Sequence, residues 1–263
     1  MGILLALLVV GGIGLISAIL LALASHFMNV PEDETVKKVR SALPGVNCGA
    51  CGYNGCDEYA KAVAVGEKIN LCIPGADAAA QDIAEIMNVE FEDVVEMMAF
   101  VHCNGNCNAT ESKAHYDGQM TCRAANLVYG GPGKCTYGCL GCGDCARACP
   151  TNAICLKDGI AHINPKICIG CGLCVSDCPK GIISLIPAVA KVTVACSSKD
   201  KGAVAMKNCK NACIGCGKCE RNCPTGAIKV ENNIARINYD LCTSCGQCAQ
   251  VSPTKFIHIY DGN

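Results

Sequence analysis

The chain has 263 residues, a formal net charge of -1, 26 cysteines, no tryptophan and only 4% aromatic residues. No basic block accompanies that balance, which excludes nucleic acid as a partner class, and so few large side chains point to several small cores filled by metal centres. Thiolate-bound centres would make the loaded protein more acidic still, suiting it to dock on a basic patch of another redox protein.

Ile3 to Leu23 contain no charged residue and are almost all Leu, Ile, Val, Ala and Gly. As a helix they measure about 31 Å, enough to cross a bilayer, whereas a secretory signal would need a basic start and a shorter apolar core. Lys37, Lys38 and Arg40 follow the span and only the initiator amine precedes it, so the positive-inside bias places the C-terminal bulk in the cytoplasm. Gly11, Gly12 and Gly14 would let another helix approach closely, which suggests docking into a membrane complex; a simple anchor is the other reading.

Pro31 to Glu34 read as a polar exit, and Asp33 to Leu43 has helix-compatible spacing. Next comes Asn47-Cys48-Gly49-Ala50-Cys51-Gly52-Tyr53-Asn54-Gly55-Cys56, with Cys72 beyond a helical segment at Asp57 to Gly66. Three cysteines on a glycine-rich loop and a fourth after a helix could enclose one cluster, Gly49, Gly52 and Gly55 allowing the tight turns. Asp77 to Met87 reads as an amphipathic helix beneath the loop, and Glu90 to Phe100 as another. His102 could be an alternative iron ligand, with a surface or hydrogen-bonded role as the bland reading. Cys103, Cys107, Cys122 and Cys135 form a four-thiol set that could hold an extra cluster, with reduced structural thiols as the alternative.

The spacing Cys139-x2-Cys142-x2-Cys145-x3-Cys149-Pro150 is the bacterial ferredoxin pattern for a [4Fe-4S] cluster, and Cys168-x2-Cys171-x2-Cys174-x3-Cys178-Pro179 repeats it. In that pattern three cysteines wrap one cluster and the fourth ligates the other. The expected sets are therefore Cys139, Cys142, Cys145 with Cys178, and Cys168, Cys171, Cys174 with Cys149. Zinc gains nothing from a third Cys at the same step, and disulfides would require an oxidising compartment. Asp158-Gly159 between two short apolar runs signals a hairpin, with Cys155 expected in its core and His162 as a strand residue. Gly143, Gly172, Gly217 and Gly246 each follow the second cysteine of a motif, either to let backbone N-H groups approach sulfur or simply to turn the chain.

Ten cysteine positions from Cys122 to Cys178 recur 74 residues later. The second copy supplies Cys213, Cys216 and Cys219 for one cluster, and Cys242, Cys245 and Cys248 completed by Cys223 for the other. Cys196 and Cys209 match Cys122 and Cys135. Ser252 stands where the tenth cysteine would be: its cluster could keep four irons with Ser252 or water, fall to [3Fe-4S], or recruit Cys209, or Ser252 could be purely structural. His258 falls in a strand-like run. No Gly-x-Gly-x2-Gly or Gly-x4-Gly-Lys fingerprint is present, so neither NAD nor flavin is expected by those routes.

The apolar N-terminus, the Asn-Cys-Gly-x-Cys-Gly-x3-Cys…Cys module and the tandem ferredoxin motifs, in this order, resemble the B subunit of the Rnf complex (the RnfB/RsxB family) over essentially the whole chain. The resemblance implies a membrane-anchored iron-sulfur polyferredoxin of a ferredoxin:NAD oxidoreductase that couples electron flow to Na+ or H+ pumping, facing the cytoplasm. It also implies a [4Fe-4S] cluster on Cys48, Cys51, Cys56 and Cys72. The expected fold class is α+β: a transmembrane helix in 1–29 (span about 3–23), a small helical one-cluster module at 30–100 and a cysteine-containing connector at 101–134. Two ferredoxin-like modules then occupy 135–190 and 191–263, giving at least five clusters. Electrons would enter from reduced soluble ferredoxin and pass to other membrane subunits, with no substrate converted on this chain. A role in reducing a redox-sensing regulator, or a scaffold whose clusters are only structural, are the rival readings.

Overall fold

A computed structural model describes residues 2–27 and 33–259. Helix α1 (Gly2–Phe27) comes first, and its described apolar side chains from Leu8 to Leu23 all face outward. Among the described residues no helix is long and apolar enough to cross a membrane; the continuous stretch of α1 with described side chains, 8–24, measures about 25 Å. The remaining side chains of the expected span, 3–7, lie outside the described residues, as does 31–32 of the expected polar exit.

Asp33 caps helix α2 (Glu34–Ala42), its carboxylate accepting from the Thr35 N-H at 2.9 Å. Helices α3 (Cys56–Ala64) and α4 (Ala76–Met87) pack with α2 around Val39, Tyr59, Val63 and Ile83, each contributing about 1.5–3 kcal/mol by burial. Cys56 and Cys72 belong to the same core. Left-handed Asn88 (φ 53°) ends α4.

The helix expected at Glu90 to Phe100 does not form. Residues 97–101 are strand β1 (Met97–Val101), paired antiparallel with β4 (Ile183–Pro187). The run is apolar on both faces: Met98 and Phe100 enter a core with Ile186 and Ala195, while Ala99 and Val101 enter another with Cys145, Cys174 and Ile183. Sheet pairing satisfies both faces, and the segment joins the first ferredoxin-like module although the sequence groups it with the N-terminal one.

After helix α5 (Cys122–Leu127), that module is completed by α6 (Asp144–Arg147), the hairpin β2 (Ile154–Lys157) and β3 (Ile160–Ile163), and α7 (Leu173–Asp177). Asp158 (φ 53°) and Gly159 (φ 79°) make the two-residue turn. The second module repeats the plan. Strand β5 (Val192–Val194) pairs with β8 (Ile257–Ile259), and β6 (Ile228–Glu231) with β7 (Ile234–Ile237). Helices α8 (Gly202–Asn208), α9 (Lys218–Arg221) and α10 (Gln247–Gln250) complete it. Among the described residues every sheet has two strands, so the thiol-lined interior between sheets carries the packing.

Candidate iron-sulfur sites

The N-terminal loop is folded by Asn47, whose side-chain oxygen accepts the Cys56 N-H at 2.9 Å. Burial, and then the nearby Cys56, Cys48 and Cys51, push the Cys72 thiol up to about 11. Cys48, Cys51 and Cys56 therefore all sit within electrostatic reach of Cys72.

In the first ferredoxin-like module a cavity of about 340 Å3 is lined by Cys139, Cys145 and Cys178 together with Val101, Ile182 and Ile183. Cys122 lines it too and stands beside Cys142, whose thiol rises to about 11 through burial and then the neighbouring Cys122. Across the module Cys174 is raised to about 12, by burial and then by Cys168, Cys171 and Cys149. The residues thus gather in two crossed sets. Cys149 is the exception in sign: burial raises it, but the Thr151 hydroxyl at 3.6 Å and the Ala153 N-H at 3.3 Å help bring it below the ordinary thiol value. Cys223 repeats this with the N-H of Ile228 and the Thr225 hydroxyl. The thiols that burial raises, Cys72, Cys142, Cys174 and Cys219 among them, hold their protons, and cluster assembly must release them.

In the second module a cavity of about 320 Å3 is lined by Cys223, Cys242, Cys245 and Cys248. Cys219 rises to about 11 through burial, with Cys213 and Cys216 adding to it. The Ser252 hydroxyl donates to the Thr254 carbonyl at 2.7 Å, and the Thr254 hydroxyl donates to the carbonyl of Ala212, next to Cys213. Cys209 is turned into a different cavity, with Cys103, Cys135 and Cys196.

The four-thiol set Cys103, Cys107, Cys122 and Cys135 is not brought together. Cys107 is exposed, Cys122 joins the Cys139 cavity, and only Cys103 and Cys135 share a site. Cys155 is exposed rather than core, because β2 buries only Ile154. His102 is engaged at both ring nitrogens, at 2.6 Å from the Val194 carbonyl and 2.6 Å from the Ser184 hydroxyl. The carbonyl can only accept, so Nδ1 carries the proton and Nε2 takes the hydroxyl's, leaving neither for iron. His162 and His258 are strand residues on β3 and β8.

Burial holds the His102 ring below the ordinary 6.5, against the Val194 bond that raises it. As pH falls below 6.5 the unfolded chain takes up this proton before the folded one does, so stability from the neutral ring is present above 6.5 and lost toward the lower folded value. Denaturant midpoints measured between pH 7 and 5.5 should fall more steeply for the wild type than for His102→Gln; parallel slopes would remove the ring from this role.

The glycines after the second cysteines, Gly143, Gly172, Gly217 and Gly246, are left-handed residues at the starts of α6, α7, α9 and α10. The tighter constraint falls one step earlier, where sequence reasoning did not look. A Cβ on Gly170 (φ +64°) would lie 2.4 Å from the Met97 carbonyl oxygen and 2.8 Å from Ile73 Cγ2, at the seam with the N-terminal module. Gly170→Ala should cost about 2–5 kcal/mol, the left-handed conformation and the overlap together. Gly226→Ala, at φ +66° with open space around it, should cost only about 1–2 kcal/mol. Equal losses in guanidinium unfolding would show that the seam is not tight.

Among the described residues no three Cys, His, Asp or Glu side chains converge on a single metal ion. Thiols spread around cavities, several of them receiving backbone N-H groups, are instead the donor set that a [4Fe-4S] cluster takes. A family model described as a putative Fe-S cluster matches residues 43–74, and 4Fe-4S dicluster domain models match 138–182, 212–256 and 167–228. The B subunit of the Na(+)-translocating ferredoxin:NAD(+) oxidoreductase complex of Acetobacterium woodii is 43% identical over 236 residues, 89% of this chain and 71% of that protein. The B subunit of the proton-translocating ferredoxin:NAD(+) oxidoreductase complex of Clostridium ljungdahlii is 43% identical over 88% of this chain and 83% of its own. The B subunit of the ion-translocating oxidoreductase complex of Methanosarcina acetivorans is 34% identical over 95% and 96%.

Proposed function

The chain belongs to the B-subunit family of ion-translocating ferredoxin:NAD oxidoreductase (Rnf) complexes, and we propose that it accepts electrons from reduced soluble ferredoxin and relays them between neighbouring iron-sulfur sites toward other subunits. Bound four-iron clusters would supply one-electron carriers, with potentials within about -700 to +450 mV. The protein's part is to hold them by thiolates, tune them through N-H donors to sulfur and keep them adjacent.

Adjacency is the observation that carries this reading. Gly170, between Cys168 and Cys171 of the first ferredoxin-like module, seats against Ile73, next to Cys72 of the N-terminal set: a Cβ on it would lie 2.8 Å from Ile73 Cγ2. Cys174 of the Cys168 set and Cys145 of the Cys139 set are in turn buried in one core. Successive sites therefore abut across the module seam as well as within the module, as a relay needs and a set of isolated staples would not. The exposed apolar side chains of α1 support a single-pass anchor, and Lys37, Lys38 and Arg40 after it support the cytoplasmic side for the iron-sulfur part. Resistance of the protein to alkaline extraction from membranes checks the anchor, and release by that treatment would remove it.

The relay is tested by titrating the full-length, cluster-loaded protein with reduced ferredoxin under anaerobic conditions, following visible absorbance and EPR. Reduction of several clusters at ferredoxin-like potentials is expected. If no cluster accepts electrons there, the clusters are structural and the relay reading fails.

A further inference from the structure

Four cysteines that lie outside the signature motifs meet in one cavity between the two ferredoxin-like modules. Cys103 and Cys135 enter it from the first module's side, Cys196 and Cys209 from the second's. The space, solvent at its mouth included, is about 460 Å3, against about 340 and 320 Å3 for the two signature cavities, so it has room for the same kind of group. No carboxylate lines it. A Cβ placed on Gly105 would be 3.5 Å from the sulfurs of both Cys103 and Cys209. Twice that distance, 7.0 Å, is therefore the most that can separate the pair.

Each sulfur already receives a backbone N-H. Cys103 accepts from Gly105 at 3.4 Å and from Cys139 at 3.3 Å, and Cys196 accepts from Cys213 at 3.3 Å. Cys135 accepts from Tyr137 and Gly138, and Cys209 from Asn211. Donors of this kind stabilise negative charge on sulfur. The walls are fixed by bonds that cross between the modules: Asn104 to the Lys255 carbonyl, Asn211 to the Asn104 carbonyl, and Thr110 to the Asn208 carbonyl, at 2.7–2.8 Å.

We propose that Cys103, Cys135, Cys196 and Cys209 ligate a further four-iron cluster that bridges the two ferredoxin-like modules. The inference rests on the relay reading and extends it. Cys139 and Cys213, whose N-H groups bond Cys103 and Cys196, are themselves ligand candidates of the flanking sites, so the cavity lies between the two. Passage across it is a one-electron exchange: the donor site is oxidised by one electron, the acceptor is reduced by one, and no bond or proton changes hands.

The test counts clusters on the full-length protein, loaded anaerobically, by native mass spectrometry with iron and acid-labile sulfide analysis. The most fully loaded wild type should carry six clusters. Cys209→Ser, and Cys135→Ser/Cys196→Ser, should each lose one increment of about four iron and four sulfide, while Cys107→Ser and Cys155→Ser lose none. A wild type that stops at five clusters, one zinc ion in place of that increment, or a Cys209→Ser variant retaining six would each overturn the bridge. The wild-type count does not depend on whether any variant folds. Five reducible clusters would leave the relay standing without its bridge, whereas a protein that loads none would lose both.

Discussion

Stripping iron from the protein with a chelator, anaerobically and with thiols kept reduced, should unfold residues 97–259 while leaving a helical N-terminal remnant. The reason lies in what fills the cores. Two-stranded sheets are marginal by themselves, and the interior of the second ferredoxin-like module counts five thiols, Cys196, Cys209, Cys213, Cys219 and Cys248, among its buried residues beside six full-sized apolar side chains, Val192, Val194, Ile228, Ile234, Phe256 and Ile257. Once the iron is removed, those thiols face cavities and the N-H groups aimed at sulfur lose their charged acceptors. In small domains of this kind, binding free energy is largely folding free energy. Helices α2, α3 and α4 differ, because Val39, Tyr59, Ala60, Val63 and Ile83 are wholly or almost wholly buried in a core whose only buried thiols among the described residues are Cys56 and Cys72. Limited proteolysis should therefore erase the ferredoxin-like modules and spare a fragment around residues 34–87. Far-UV circular dichroism should drop in parallel, and ferredoxin-like modules that stay protease-resistant after complete iron removal would sink the argument.

What could be read from the chain beforehand follows from how local its cause is. The Asp158-Gly159 turn depends on two adjacent residues that accept positive φ, and α4 on apolar spacing within twelve residues, so both were legible. The cysteine spacing likewise encodes its own chemistry: the sets around Cys139 and Cys168 gather with Cys178 and Cys149 from the opposite motif. Strand β1 was not legible, because its partner β4 begins more than eighty residues later and a five-residue apolar run has no period long enough to separate strand from helix. The meeting of Cys103 and Cys135 with Cys196 and Cys209 in one cavity was missed for a related reason. A constant 74-residue offset pairs Cys196 with Cys122, yet its structural counterpart is Cys103, which follows β1 as Cys196 follows β5 and bonds the N-H of its own module's first motif cysteine. Cys103 and that motif cysteine are 36 residues apart, Cys196 and its partner 17. The insertion hides the equivalence.

Ser252→Cys should abolish a [3Fe-4S] EPR signal that the wild type develops on mild oxidation, without altering the other clusters. Cys213, Cys216 and Cys219 supply three thiols, and Ser252 occupies the fourth position, preceding Pro253 as Cys178 precedes Pro179. A serine ligates iron only as an alkoxide, but here its Oγ donates a proton to the Thr254 carbonyl, which requires the neutral hydroxyl. Thr254 in turn donates to the Ala212 carbonyl, next to Cys213, at 2.7 Å, so the turn is held in the form that keeps Ser252 protonated. An iron bound at that corner would therefore lack a thiolate and be the first to leave. A cysteine placed there supplies the missing sulfur. The expected readout is loss of the oxidised three-iron signal and a gain of about one iron per chain in air-exposed samples. Identical spectra from wild type and variant would mean that another group holds the fourth iron. The signal persisting in the variant would place its origin at a different site.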